Sequence, residues 1–112
     1  MRCVFCDIAE GKSPADFVIK DNEVVAIRDA HPVAPVHILV IPKKHIPSLV
    51  DVDGDSELIS KMISTAVIVA KKVNISGRGF RLVWNCRAEG GQTVDHIHLH
   101  LIGGRQMKWP PG

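Results

Sequence analysis

Apolar and polar positions change their period several times along the chain, and each change marks an element. Residues 56 to 73 hold the one long stretch of helical spacing. Leu58, Ile59, Met62, Ile63, Ala66, Val67, Ala70 and Val73 form a stripe wide enough to face a core. Asp53 or Asp55 is placed to cap its start, and Lys71 and Lys72 complement the dipole at its end. Elsewhere the pattern is that of strands. "FVIKDNEVVAIRD" reads as two strands about a turn at Asp21 and Asn22. "HILVIP" is a buried strand closed by Pro42, "FRLVWN" is another, and "HIHLHLI" is the last. Pro32 and Pro35 hold "AHPVAPVH" open as a loop, and "ISGRG" and "CRAEGGQ" are breaks. Residues 3 to 10 suit a short helix stopped by Gly11 and Pro14. The order β-β-β-α-β-β predicts an α+β domain, an antiparallel sheet with a helix on one face.

Composition narrows this little. A chain of 112 residues, 46% of them hydrophobic, fits one domain with one real core. A formal charge of +2 leaves no electrostatic footprint for nucleic acid. Lys43 and Lys44, the one basic cluster near a motif, suit a solvated turn. No apolar run resembles a signal peptide or a membrane span, so no membrane partner is expected. Cys3, Cys6 and Cys86 are odd in number, which favours a reducing, cytoplasmic setting.

The last strand carries the candidate chemistry. Side chains alternate along a strand, so His96, His98 and His100 share one face and Ile97, Leu99 and Leu101 the other. The apolar face suits packing on the long helix, leaving the histidines on a polar shelf. Polar faces usually use Lys, Glu or Thr, so three imidazoles in alternation call for a function. Imidazoles on a strand can converge on zinc. They can also work as nucleophile and acid–base pair, because imidazole titrates near neutrality. Just upstream, "AEGGQTVD" offers Gly90 and Gly91, which let backbone N–H groups approach an anion, and Gln92 and Thr93, which add side-chain donors. Alone, Gly-Gly is an ordinary hairpin turn. With three histidines following, a phosphate cradle facing a nucleophile is the better account.

"HIHLHLI" fits the alternating signature of the histidine triad (HIT) family. "FCDIAEGKSPA", "RDAHPVAPVHILVIPKKHI", "GGQTVDHIHLH" and the ending "GGRQMKWPPG" resemble its Hint branch, so the likeness spans nearly the whole chain as a single HIT domain, residues 1–112. The resemblance implies a sheet of about five strands, one long and one short helix, and a sheet continued across a homodimer, with residues 103–112 a tail reaching toward the partner. It implies purine nucleoside monophosphates (AMP, GMP) as ligands and hydrolysis of their phosphoramidates through a nucleotidyl-histidine intermediate. On this resemblance His98 is the nucleophile. His100 and His37 orient it or contact phosphate. Asn85, Gly91, Gln92 and Thr93 lie on the phosphate side, with Thr93 where a serine is expected. Asp29 holds the ribose hydroxyls. Val4, Phe5, Ile8, Ile27 and Ala30 surround the base, and Trp109 reaches the partner's site. No cofactor is required for this chemistry, and activity without added Mg²⁺ is expected.

Cys3-Val-Phe-Cys6 is a C-x-x-C pair without the βαβ surroundings of a redox motif. A structural zinc site needs two further ligands, for which His45 and His96 are candidates. Some bacterial HIT proteins resemble this chain in these cysteines and bind zinc there. His31 reads as a polar loop residue facing solvent, and Cys86 as a small buried filler at a strand end. Asp29 has a second reading, a turn cap before Pro32. Two other functional classes stay open. One is a nucleotide-binding module or scaffold with incidental hydrolysis. The other is a metallohydrolase with the three histidines as zinc ligands, which turnover surviving a chelator would set apart.

Overall fold

A computed structural model describes residues 3–112. Its elements follow the alternation of the sequence: α1 (Val4–Ala9), β1 (Phe17–Lys20), β2 (Val24–Arg28), β3 (Val36–Pro42), α2 (Ser56–Lys72), β4 (Phe80–Val83) and β5 (Leu99–Gly103). The five strands form one antiparallel sheet in the order β1-β2-β3-β5-β4. The β1–β2 turn forms where Asp21 was expected to direct it, because its Oδ1 accepts the N–H groups of Glu23 (2.8 Å) and Val24 (2.9 Å). Among the described residues no helix is long and apolar enough to cross a membrane.

Of the two candidate caps for α2, Asp55 does the work: its Oδ1 accepts the Leu58 N–H at 3.2 Å. Asp53 instead ends a 3₁₀ turn, Leu49–Val52, in the left-handed region. That turn carries no periodic signal and was not anticipated. The buried stripe of α2 is narrower than its apolar spacing. Leu58, Met62, Ala66, Val69 and Ala70 pack on Val24, Ala26, Ile38, Val40, Leu99 and Leu101, while Ile63 and Ile68 stay exposed.

Three expectations are corrected. Pairing in the last strand begins at Leu99, not at His96. Ile97 donates its N–H to Ile46 O (2.8 Å) beyond the end of β3, so the ladder to β3 stops at the Val40–Leu99 pair. "FRLVWN" likewise ends as a strand at Val83, opposite His100. The histidine face, moreover, is no open shelf. The helix α1 lies over it, and a second cluster forms from Phe5, Ile8, Ala9, Val25, Ile27, Leu39 and Ile41. The sheet is therefore covered on both faces, and His96, His98 and His37 are buried beside this second cluster.

Candidate active site and metal cluster

Strand parity assembles the site. Asp29 follows β2 in phase with Val25 and Ile27, and His37 is in phase with Leu39 and Ile41 on β3, so both side chains rise on the α1 face. On β5, His100 sits opposite Leu39 and diagonal to His37, within reach of a large ring. The result is a hydrogen-bonded chain across three adjacent strands. His37 Nε2 lies 2.9 Å from His100 Nδ1 and 3.4 Å from Asp29 Oδ2. One contact fixes the protons along it. The Val33 N–H donates to His37 Nδ1 (3.2 Å), so the His37 proton sits on Nε2. Facing that N–H, His100 Nδ1 accepts, and the His100 proton sits on Nε2. This nitrogen is buried and has no partner among the described residues.

His98 is held differently. Its Nδ1–H donates to the backbone carbonyl of His96 at 2.8 Å, which leaves Nε2 as the lone-pair nitrogen. Phe5 packs edge-on against it at 5.0 Å, and His100 lies at the same ring separation. Burial pushes the His98 pKa down, against the opposing pull of the His96 carbonyl and Asp29. Burial, with the neighbouring His98 and His37 rings, pushes His100 down to about 4. Both rings are therefore neutral near pH 7.

This has a consequence for stability. The folded state disfavours protonated His100, so between the ordinary histidine value and about 4 the unfolded chain binds more protons. Stability is expected to fall as pH drops through that window, with His98 and His96 acting in the same sense. Urea unfolding at pH 7 and pH 5 checks this, and a midpoint no lower at pH 5 would contradict it.

Not every predicted donor faces a ligand. Gln92 is a strut: its amide donates to Pro47 O (2.6 Å) and Val94 O (2.9 Å), and its Oε1 accepts the Arg87 N–H (2.8 Å). Gly91 N–H is likewise engaged by Ala88 O at 3.0 Å. Gly90 is required by a close approach, since a Cβ there would stand 2.4 Å from the Cys86 carbonyl oxygen. The loop's shape is therefore fixed by its own bonds. Asn85 and Thr93 remain as polar side chains with no partner among the described residues, Asn85 at the end of the sheet where β5 begins. Asp29 meets the turn-cap reading, accepting the His31 N–H at 2.9 Å, and keeps its other oxygen toward His37. Phe5, Ile8 and Ile27 are core residues, whereas Val4 is half exposed. Trp109 is 82% exposed, so within one chain it reaches no site. A cavity of about 440 Å³, lined by Arg78, Phe80, Arg105 and Met107 among others, opens at the far end of β4 and β5 and includes no predicted site residue.

His96 turns away from the other two rings. Its Nδ1 lies 3.3 Å from Cys3 Sγ, 3.5 Å from Cys6 Sγ and 3.2 Å from His45 Nδ1. Cys6 Sγ is 3.3 Å from His45 Nδ1, and all four donor atoms lie within 4.8 Å of one another. A tetrahedral zinc ion separates two nitrogens by about 3.3 Å and a nitrogen from a sulfur by about 3.6 Å, so the donor set fits zinc. His96 Nε2 donates to Pro42 O (2.7 Å), which leaves Nδ1 as the free ligand atom. Burial, then the Cys3 thiol and nearby acids, push the Cys6 thiol up to about 11, a cost that a bound cation would reverse. The alternative in which all three strand histidines ligate one metal fails on this geometry. His96 joins the cysteines, His100 joins His37 and Asp29, and His98 belongs to neither group.

Comparison with known proteins comes to the same fold and family. The family model described as HIT domain matches residues 10–107. An uncharacterised HIT-like protein of Synechococcus elongatus is 42% identical over 97% of this chain and 96% of its own length. The crystal structure of a HIT family hydrolase from Legionella pneumophila superposes with a TM-score of 0.97 at 52% identity, covering 99% of this chain and all (100%) of that one. The histidine triad nucleotide-binding protein of Candida albicans superposes at 0.84, with 26% identity over 97% of this chain and 83% of that one.

Proposed function

The chain belongs to the HIT domain family, and on that premise we propose that it is a hydrolase that cleaves the P–N bond of purine nucleoside phosphoramidates with His98 as nucleophile. One observation carries the reading. His98 is fixed by its Nδ1–H on the His96 carbonyl, with a lone pair at Nε2, beside a buried His100 Nε2–H that has no partner among the described residues. A nucleophile and a hydrogen-bond donor thus stand in adjacent rings, both neutral at pH 7.

In the first step the Nε2 lone pair of His98 attacks phosphorus and the P–N bond breaks. The His96 carbonyl stabilises the imidazolium that forms, as an orienting partner does in other nucleophile–base arrangements. His100 Nε2–H bonds to a non-bridging oxygen or to the departing nitrogen, and Asn85 and Thr93 are the remaining donors for the phosphoryl group. In the second step water attacks phosphorus and the His98–phosphorus bond breaks. The amine leaves in the first step with a proton taken up from solvent, and the attacking water returns a proton to solvent in the second, so that overall one water gives its hydroxyl to phosphorus and a proton to the amine. Asp29 and His37 hold the tautomer of His100 while it acts. The Candida albicans relative is described as nucleotide-binding, which supports the ligand class.

Cys3, Cys6, His45 and His96 would hold a structural zinc ion, which supplies a fixed cross-link between α1, the loop after β3 and the start of the histidine row. A homodimer is part of the same proposal. β4 is an edge strand with unpaired backbone groups, and Ile63 and Trp109 are apolar surface that a second copy would cover.

Mixing the protein with adenosine 5′-phosphoramidate, quenching in base and mapping peptides by mass spectrometry tests the chemistry. An adenylyl group on His98 is expected. Bound AMP with no covalent adduct and no turnover would instead favour a nucleotide-binding module with incidental hydrolysis.

A further inference from the structure

We infer that the Cys3–Cys6–His45–His96 cluster positions the nucleophile: an ion held there fixes His96, and His96 fixes the tautomer and aim of His98. The inference rests on the reading of His98 as nucleophile and of the cluster as a zinc site.

The argument turns on where the sheet stops. The carbonyl that accepts the His98 Nδ1–H belongs to His96, and His96 lies outside the β5 ladder, which begins three residues later at Leu99. Strand pairing therefore does not set the orientation of that carbonyl. The peptide that carries it is held instead by the Ile97 N–H on Ile46 O (2.8 Å), and both sides of that bond are tied to the cluster: Ile46 follows His45, and the His96 ring is clamped at both nitrogens. Nε2 is on Pro42 O at 2.7 Å, and Nδ1 is among the two sulfurs and His45 at 3.2 to 3.5 Å. A second support follows the same path. Phe5 lies between the two cysteines in sequence, and its ring meets both His96 (6.0 Å) and His98 (5.0 Å) edge-on. Both the carbonyl that anchors His98 and the ring that walls it are thus tied to the four-donor cluster.

Without a cation, His96 Nε2 stays on Pro42 O, but at its Nδ1 and at the exposed His45 two thiols and two imidazole nitrogens can share hydrogen bonds in several arrangements. A cation bound by all four donors leaves one. When His96 and the His45–Ile46 segment shift relative to each other, the peptide joining His96 to Ile97 turns, its carbonyl leaves the His98 Nδ1–H, and His98 is free to carry its proton on Nε2. In that tautomer the nitrogen facing the substrate has no lone pair to attack with. The ion takes no part in bond making, so its removal lowers the fraction of enzyme in the reactive tautomer rather than ending the reaction.

The test uses the full-length protein at a single neutral pH, with zinc, after chelation, and after zinc is restored. Imidazole ¹H–¹⁵N spectra report the His98 tautomer, and steady-state kinetics with adenosine 5′-phosphoramidate report kcat and KM. Expected on stripping is a change from a single Nδ1–H form of His98 to a mixture, with kcat lower by roughly 10- to 100-fold, KM little changed, and both restored by zinc. Should the stripped chain unfold, His45→Ala carries the same test, because His45 is exposed and among the described residues its ring bonds to Cys6 and His96 of the cluster itself. Zinc that binds but leaves the His98 spectrum and kcat unchanged when removed overturns the inference, while the hydrolase reading stands. Failure to bind zinc at all also overturns it. A tautomer that follows zinc in a protein with no turnover supports the positioning and removes the hydrolase reading instead.

Discussion

His98→Ala is expected to lower phosphoramidate turnover by about four orders of magnitude or more, as loss of a covalent nucleophile does elsewhere, while AMP still binds. The two effects separate because His98 has no structural bond that alanine must replace except one to a backbone carbonyl. The surrounding donors at Asn85, Thr93 and His100 are untouched. Truncation does open space beside Phe5, so the variant's melting curve should accompany its kinetics. Calorimetric titration with AMP, set beside kcat, decides the matter. A variant with near-normal turnover would show that another group attacks phosphorus. A variant that loses AMP binding as completely as turnover would show that His98 holds the nucleotide rather than reacting with it.

The second large effect concerns metal. Chelation, or the double change Cys3→Ser with Cys6→Ser, is expected to lower the melting temperature by on the order of 10 °C or more. A ligand present at a thousand times its dissociation constant stabilises by about 4 kcal/mol. For a domain of this size each kilocalorie moves the midpoint by roughly 4 °C. The mechanism is a cross-link. The six-residue helix α1 is too short to be stable alone, and it is tied to the body through Cys3 and Cys6 on one side and Phe5, Ile8 and Ala9 on the other. Differential scanning calorimetry with and without chelator measures this. Coincident transitions, in protein shown to hold zinc beforehand, would mean that the ion does not brace the fold.

Much of this was legible in the chain itself. Alternation placed His98 and His100 on one face and Leu99 and Leu101 on the other, and helical spacing found α2 within a residue of its end. The pairing of cysteines with His45 and His96 was also readable, because ligand type narrows the candidates more than distance does. Other features had no local signature. Parity says which face a side chain takes but not which carbonyl its own N–H will find, so the diversion of Ile97 to Ile46 and the late start of β5 were invisible. Whether the histidine face is open or covered depends on where α1 docks, 93 positions away in the case of Cys3 and His96. Gln92 looked like a ligand donor because an amide in a Gly-rich loop suits either task. Only the carbonyls of Pro47 and Val94, brought there by tertiary folding, assign it to the loop itself.

The amide of Val33 gives a last consequence, for mutational tolerance. Its side chain is 57% exposed and touches none of the reactive groups, yet its N–H sets the proton on His37 and, through it, on His100. Nineteen of the twenty residue types supply the same main-chain group. In a saturation library, position 33 should therefore read as freely variable with a single forbidden letter, proline, whose loss of activity would arise without any change to the side chains of Asp29, His37, His98 or His100.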